Sequence, residues 1–120
     1  MADPKIPPQN IDAEASLLGC ILTDADAIVR VADIIDESNF YHERHGMIYT
    51  AISSLYSKHR PLDVLTVSNA LKDESQLDAI GGSSYLAELT NMVPTAAHVV
   101  QYAEIVASKA TRRRLIKVSE

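Results

Sequence analysis

The chain has 120 residues, 47% hydrophobic and 22% charged, the balance of one soluble globular domain with a single core rather than of a disordered segment. Eleven basic residues against sixteen acidic ones leave a net charge of −5, which argues against a broad phosphate-binding face, and the length is too short for a nucleotide-hydrolysing motor. The single cysteine, Cys20, excludes an internal disulfide and fits a reducing compartment, and no run of about 18 apolar residues is present to span a membrane. Fifteen Ala among 46 Ala, Leu, Ile and Val, with only six aromatic residues and four Gly, point to an all-α fold.

In chain order, Met1–Pro8 reads as a flexible leader, because three prolines remove donors and disfavour helix. Asn10 or Asp12 then caps a first helix to about Leu22, with Asp12 and Glu14 favouring its dipole and Leu17, Leu18, Ile21 and Leu22 as the inward stripe. Gly19 and Cys20 in one turn suggest a close helix crossing, with Cys20 a small core residue. A short helix follows from Asp24 to about Asp33, turning Ala27, Ile28, Val31 and Ile35 inward. Ser38-Asn39 caps a longer helix from about Tyr41 to Lys58, whose inward set is Met47, Ile48, Ala51, Ile52, Leu55 and Tyr56. His59-Arg60-Pro61 closes it.

Asp63 is the next N-cap, with Thr66 at the third helical position and Val64, Val67 and Leu71 facing the core. Leu77 and Ile80 belong to a short turn or helix that stops at Gly81-Gly82, and Ser83 or Ser84 caps a helix carrying Tyr85, Leu86 and Leu89. Pro94 ends that segment and Thr95 caps the last helix, with Val99, Tyr102, Ala103, Val106 and Ala110 as its stripe. About 24 helical residues span roughly 36 Å, while a compact globule of this size is about 35 Å across. A helix that outruns its own core, with Leu115, Ile116 and Val118 at its far end, needs a partner or more chain. The expected organisation is a leader over 1–9, a helical bundle over 10–94, and a long helix over 95–120.

The candidate chemistry is sparse. His42 and His45 share a helix face but lack a third ligand and the H-E-x-x-H spacing, so they read as a polar helix start. Neither a G-x-S-x-G elbow nor a glycine-rich phosphate loop is present, so no catalytic, cofactor or metal residue is assigned. Lys109, Arg112, Arg113, Arg114 and Lys117 suit the end of a helix dipole or a protein partner better than nucleic acid, having no interleaved aromatic.

The run Ile6–Gly19 (IPPQNIDAEASLLG) resembles the opening of the amino-terminal domain of DnaB-type replicative DNA helicases. Six further segments follow in the same order: Asn39-Phe40-Tyr41 with His45; Pro61-Leu62-Asp63 with Thr66; Leu77, Gly81-Gly82 and Tyr85–Leu89; Val93–Ala97; Tyr102–Val106; and Arg113-Arg114-Leu115-Ile116. Each is short, but seven in order over about residues 6–117 are specific. The departures are small: His98 where such domains often have Asn, and Ser16 where Gln is common.

The resemblance implies a compact bundle of about five to six helices followed by a helical hairpin, of which residues 95–120 would be the first arm, cut before its turn. It implies a collar of six copies, a trimer of dimers paired through the hairpins, that encloses the DNA path and docks primase, with a helicase loader as a further partner. ATP, magnesium and DNA-pulling loops would belong to a RecA-like carboxy-terminal domain absent from this chain, in a cytoplasmic replisome of bacterial type. The chain itself would be no enzyme, although its full-length parent would be an ATP-dependent helicase. Contact residues implied are Tyr85, Tyr102, Ile105, Arg113 and Ile116, with Tyr85 and Tyr102 also readable as part of the core and Ile116 as closing the hairpin. The rival reading is a free-standing all-α adaptor, loader or regulator that binds the helicase. A reading frame continuing past Glu120 into G-x-x-x-x-G-K-[ST] separates the two.

Overall fold

Asn10 begins the first helix as its N-cap, its Oδ1 accepting the Ala13 N–H at 2.9 Å. That helix, α1 (Ile11–Thr23), buries Leu17, Leu18, Cys20, Ile21 and Leu22, and the computed structural model, which describes residues 6–119, places it at the centre of the fold. Around it lie α2 (Ala27–Val31), α3 (Glu43–Ser57), α5 (Gly82–Asn91) and α6 (Val99–Ser119), while α4 (Val64–Asp73) packs between α3 and α5. Among the described residues every regular element is helical, as composition predicts, and no helix is long and apolar enough to cross a membrane. Met1–Lys5 of the expected leader lie outside the described residues; Ile6–Asn10 have no regular structure, with Pro8–Asn10 half-buried.

The close crossing expected at Gly19 is present. A Cβ built there would stand 2.2 Å from the Leu89 carbonyl oxygen, so α1 and α5 meet backbone to backbone. Cys20 is fully buried, its Sγ 3.8 Å from the Thr95 carbonyl, and burial pushes its thiol pKa up, with Arg30 opposing weakly.

Several boundaries differ from the expected ones, each for a local reason. The second helix is shorter than predicted, because Asp24 Oδ1 accepts the Asp26 N–H and holds the entry as a turn. Ser38 and Asn39 do not cap the third helix. Asp36 accepts the Ser38 N–H while Asn39 Oδ1 accepts the Asp36 N–H, both at 2.8 Å, closing a 3₁₀ turn over Glu37–Asn39. The cap of α3 is His42, whose Nδ1 accepts the Arg44 N–H at 3.4 Å. Of its expected inward set Tyr56 is exposed, and His45 and Tyr49 are buried instead.

α3 and α4 both end with a non-glycine residue in the left-handed region, His59 and Ser75, each at φ 57°. The following N–H groups, of Arg60 and Gln76, reach back to the carbonyls of Leu55 and Leu71 at 2.9 and 2.8 Å. Asp63 caps α4 as predicted, accepting the Thr66 N–H at 2.7 Å. Neither Ser83 nor Ser84 caps α5: Gly81, at φ 104°, stands at the cap position, and the Ser84 hydroxyl donates back to its carbonyl. Thr95 does not cap α6 either. Its hydroxyl accepts the Ala97 N–H, closing a turn, and the helix begins at Val99.

Val99, Ala103, Val106 and Ala110 form the buried stripe of α6, with Tyr102 half-buried at its border. The helix, 21 residues or about 32 Å long, contributes to a fold of 41 × 30 × 26 Å.

Candidate docking surface

Glu14 and His45 lie on apolar stripes, Glu14 in register with Leu17, Leu18 and Ile21, and His45 with Ile48, Ile52 and Leu55. Both are buried, at 2% and 0% exposure. Glu14 stands in the first turn of α1 as expected, and its carboxylate in addition reaches partners on other segments. Its Oε2 accepts the Tyr41 N–H at 2.6 Å, and its Oε1 accepts the His42 N–H at 3.2 Å and faces His45 Nδ1 at 2.9 Å. The other imidazole nitrogen, Nε2, is 2.6 Å from the Tyr85 hydroxyl. Both imidazole nitrogens therefore have a partner, Glu14 on one side and Tyr85 on the other. A buried carboxylate with three donors is held far better than an isolated one.

The network reaches the surface at Tyr85, which is half-buried and stacks on His45 with ring centroids 6.0 Å apart. The Arg44 guanidinium lies over the outer part of this assembly, 3.9 Å from the Tyr85 ring centroid, and its buried Nε has no acceptor among the described residues. Burial raises the Tyr85 pKa, against the opposing Arg44 charge, so the phenol stays a protonated donor at neutral pH. His42 is pushed the other way: partial burial, then His45 and Arg44 beside it, lower its pKa and preserve Nδ1 as an acceptor.

The remaining candidate contact residues lie on α6. Tyr102 and Arg113 are eleven residues apart and share one helix face, as do Ile105 and Ile116; the two faces are about 60° apart. The Ile pair is about 120° round from the centre of the buried stripe, and is exposed at 37% and 49%. Tyr102 packs against the core. Arg113 is engaged inside the chain: Nη1 donates to Pro8 O at 2.8 Å and Nη2 to Asn39 O at 2.7 Å, with Cζ 5.4 Å from the Tyr41 ring centroid. Tyr85, on α5, joins the Glu14–His45 network rather than this helix face.

Glu14, Arg44 and His45 escape a reading by local rules because their partners are 27 to 41 residues away. The available signal was a carboxylate and an imidazole at apolar-stripe positions. Among the described residues no group of three or more His, Cys, Asp or Glu side chains is placed to hold a metal ion.

Among the described residues the fold is an all-helical bundle with a buried Glu14–His45–Tyr85 network and a long helix that extends past its core, the architecture of a helical helicase-collar class. The chain belongs to the DnaB-like helicase N-terminal domain family, whose model matches residues 6–108. It is 43% identical over 113 residues to the replicative DNA helicase DnaB of Leifsonia xyli subsp. xyli, and 42% identical over 115 residues to that of Geobacillus stearothermophilus, covering 94% and 96% of this chain. It spans 25% of the length of each of these curated relatives. The crystal structure of the N-terminal domain of DnaB helicase from Mycobacterium tuberculosis superposes with a TM-score of 0.93 at 42% identity, over 95% of this chain and 79% of that one. A DnaB-like replicative helicase, whose structure is described with its interactions with primase, matches with a TM-score of 0.81 at 26% identity, over 92% of this chain and 26% of that one.

Proposed function

We propose that this chain is the collar domain of a hexameric replicative DNA helicase, pairing with its own kind through α6 and docking primase. The observation that carries the reading is the outer face of α6. Among the described side chains the last buried residue of its stripe is Ala110, yet the helix runs on to Ser119, with Leu115 and Ile116 exposed at 62% and 49%. A two-fold contact of α6 against α6 of another copy would cover Ile105 and Ile116 together, since they share a face, and three such pairs make the six-fold collar. The primase reading is supported by likeness to the helicase described with that partner. In this reading Tyr85 with Arg44, and Tyr102, Ile105, Arg113 and Ile116 on α6, border the contact surfaces, and a helicase loader is a further partner.

ATP, magnesium and single-stranded DNA are handled by a RecA-like motor domain of the whole helicase, in the cytoplasm, and this domain itself takes no cofactor and catalyses no reaction. The net charge of −5 suits a part that touches protein more than phosphate. Sedimentation of the chain with purified primase tests the docking role: a micromolar complex is expected, weakened at least tenfold by Tyr85→Ala with the circular dichroism unchanged. No complex, or one indifferent to Tyr85→Ala, Ile105→Asp and Ile116→Asp alike, refutes the assignment of these residues. Alone, the chain is expected to be a monomer or weak dimer, so stable hexamers would contradict the role given to further hairpin contacts.

A further inference from the structure

Beyond Ala110, α6 has left the core, and among the described side chains from Thr111 to Lys117 Arg113 alone is half-buried while the others are exposed. Its two terminal nitrogens donate to backbone carbonyls 105 and 74 residues away, at Pro8 and Asn39. Those carbonyls belong to different segments, the one leading into α1 and the end of the 3₁₀ turn. The next residue but one after Asn39, Tyr41, lies beneath the guanidinium and gives its N–H to Glu14. Asn39 is itself buried and held by its bond to Asp36 N, so its carbonyl is a fixed anchor.

We propose that Arg113 is a clasp that sets the direction in which the last third of α6 leaves the bundle and straps residues 6–10 to it. A planar guanidinium can bridge two carbonyls at once in fixed geometry, which an ammonium cannot, so arginine is required here rather than positive charge. Arg112 and Arg114 carry the same charge, point to solvent, and cannot substitute. The lever is long enough to matter: a swing of about 20° about Ala110 carries the end of α6 by about 5 Å. The clasp lies within a single chain and acts whether or not α6 pairs with another copy.

Spin labels at Lys117→Cys on α6 and Lys72→Cys on α4, with Cys20→Ala, report the direction of the helix by double electron–electron resonance in spin-diluted samples. A narrow single distance is expected for the otherwise native chain. Arg113→Ala is expected to broaden it or shift it by several ångströms, Arg113→Lys to give an intermediate width, and Arg112→Ala to leave it unchanged. Hydrogen exchange in residues 112–118 should rise at least tenfold in Arg113→Ala, with that of α1 and α3 unaltered. An unchanged distance distribution in folded Arg113→Ala overturns the clasp, as does equal broadening by Arg112→Ala. If Arg113→Ala does not fold, Arg113→Lys is decisive: a width equal to that of the parent overturns the proposal.

Discussion

Replacing Gly19 by alanine separates helix propensity from tertiary packing, because the two act with opposite sign. In an exposed helix interior Gly→Ala stabilises by about 1 kcal/mol. At Gly19 the new methyl would meet Leu89 O at 2.2 Å, about 1 Å short of the 3.4 Å at which ordinary contact begins, and Leu89 C at 3.1 Å. The obstacle is backbone, so no rotamer change relieves it, and Leu89 O already accepts the Met92 N–H at the end of α5. Overpacking of this kind costs about 1–3 kcal/mol, here at the upper end, leaving a net loss of about 2 kcal/mol once the propensity gain is subtracted. For a domain of this size that is a fall in Tm of about 8 °C. Gly46→Ala is the internal control: its Cβ would be 3.5 Å from Glu37 O, an ordinary contact, so stability should rise by about 0.5–1 kcal/mol. Thermal unfolding followed by circular dichroism reads both. A Gly19→Ala variant as stable as the parent would refute the backbone-to-backbone crossing of α1 and α5.

Glu14→Ala strips the acceptor from two backbone N–H groups and from His45, and should cost about 3–5 kcal/mol in urea unfolding; a loss under about 1 kcal/mol would mean the network is not buried as described. Ser75→Gly relieves a left-handed residue at the end of α4, at φ 57°, and should stabilise by about 1 kcal/mol by the same measurement. His42 has its pKa depressed by partial burial and then by His45 and Arg44 beside it, so the unfolded chain binds the proton more readily. The stability it contributes is present above its ordinary value near 6.5 and is lost as the pH falls through the lower folded value. The urea midpoint of the parent should therefore drop more steeply between about pH 7 and 5 than that of His42→Asn, which keeps a capping side chain without the titration; equal slopes would remove His42 from the account.

The helical class, the apolar stripes of α1 and α6, the cap at Asp63 and the close approach at Gly19 were legible in the sequence, and the first cap was narrowed to Asn10 or Asp12. All of these rest on interactions within a few residues or on periodicity, which a linear reading can see. The close crossing needed only a glycine in an otherwise apolar turn. Where two local rules competed, the reading failed: Ser38 and Asn39 look like caps for the helix that follows, but Asp36 recruits them into a turn of their own, and His42 takes the position. Charged and polar side chains were misplaced for a more general reason. Burying Glu14 or His45 alone is unfavourable, so each belongs at the surface on its own evidence, and only the approach of α1, α3 and α5 makes them partners. Arg113 follows the same logic, a helix-end cation in the sequence and a bridge to Pro8 and Asn39 in the fold. Tertiary structure decided every case in which the energy of a group depends on a partner dozens of residues away.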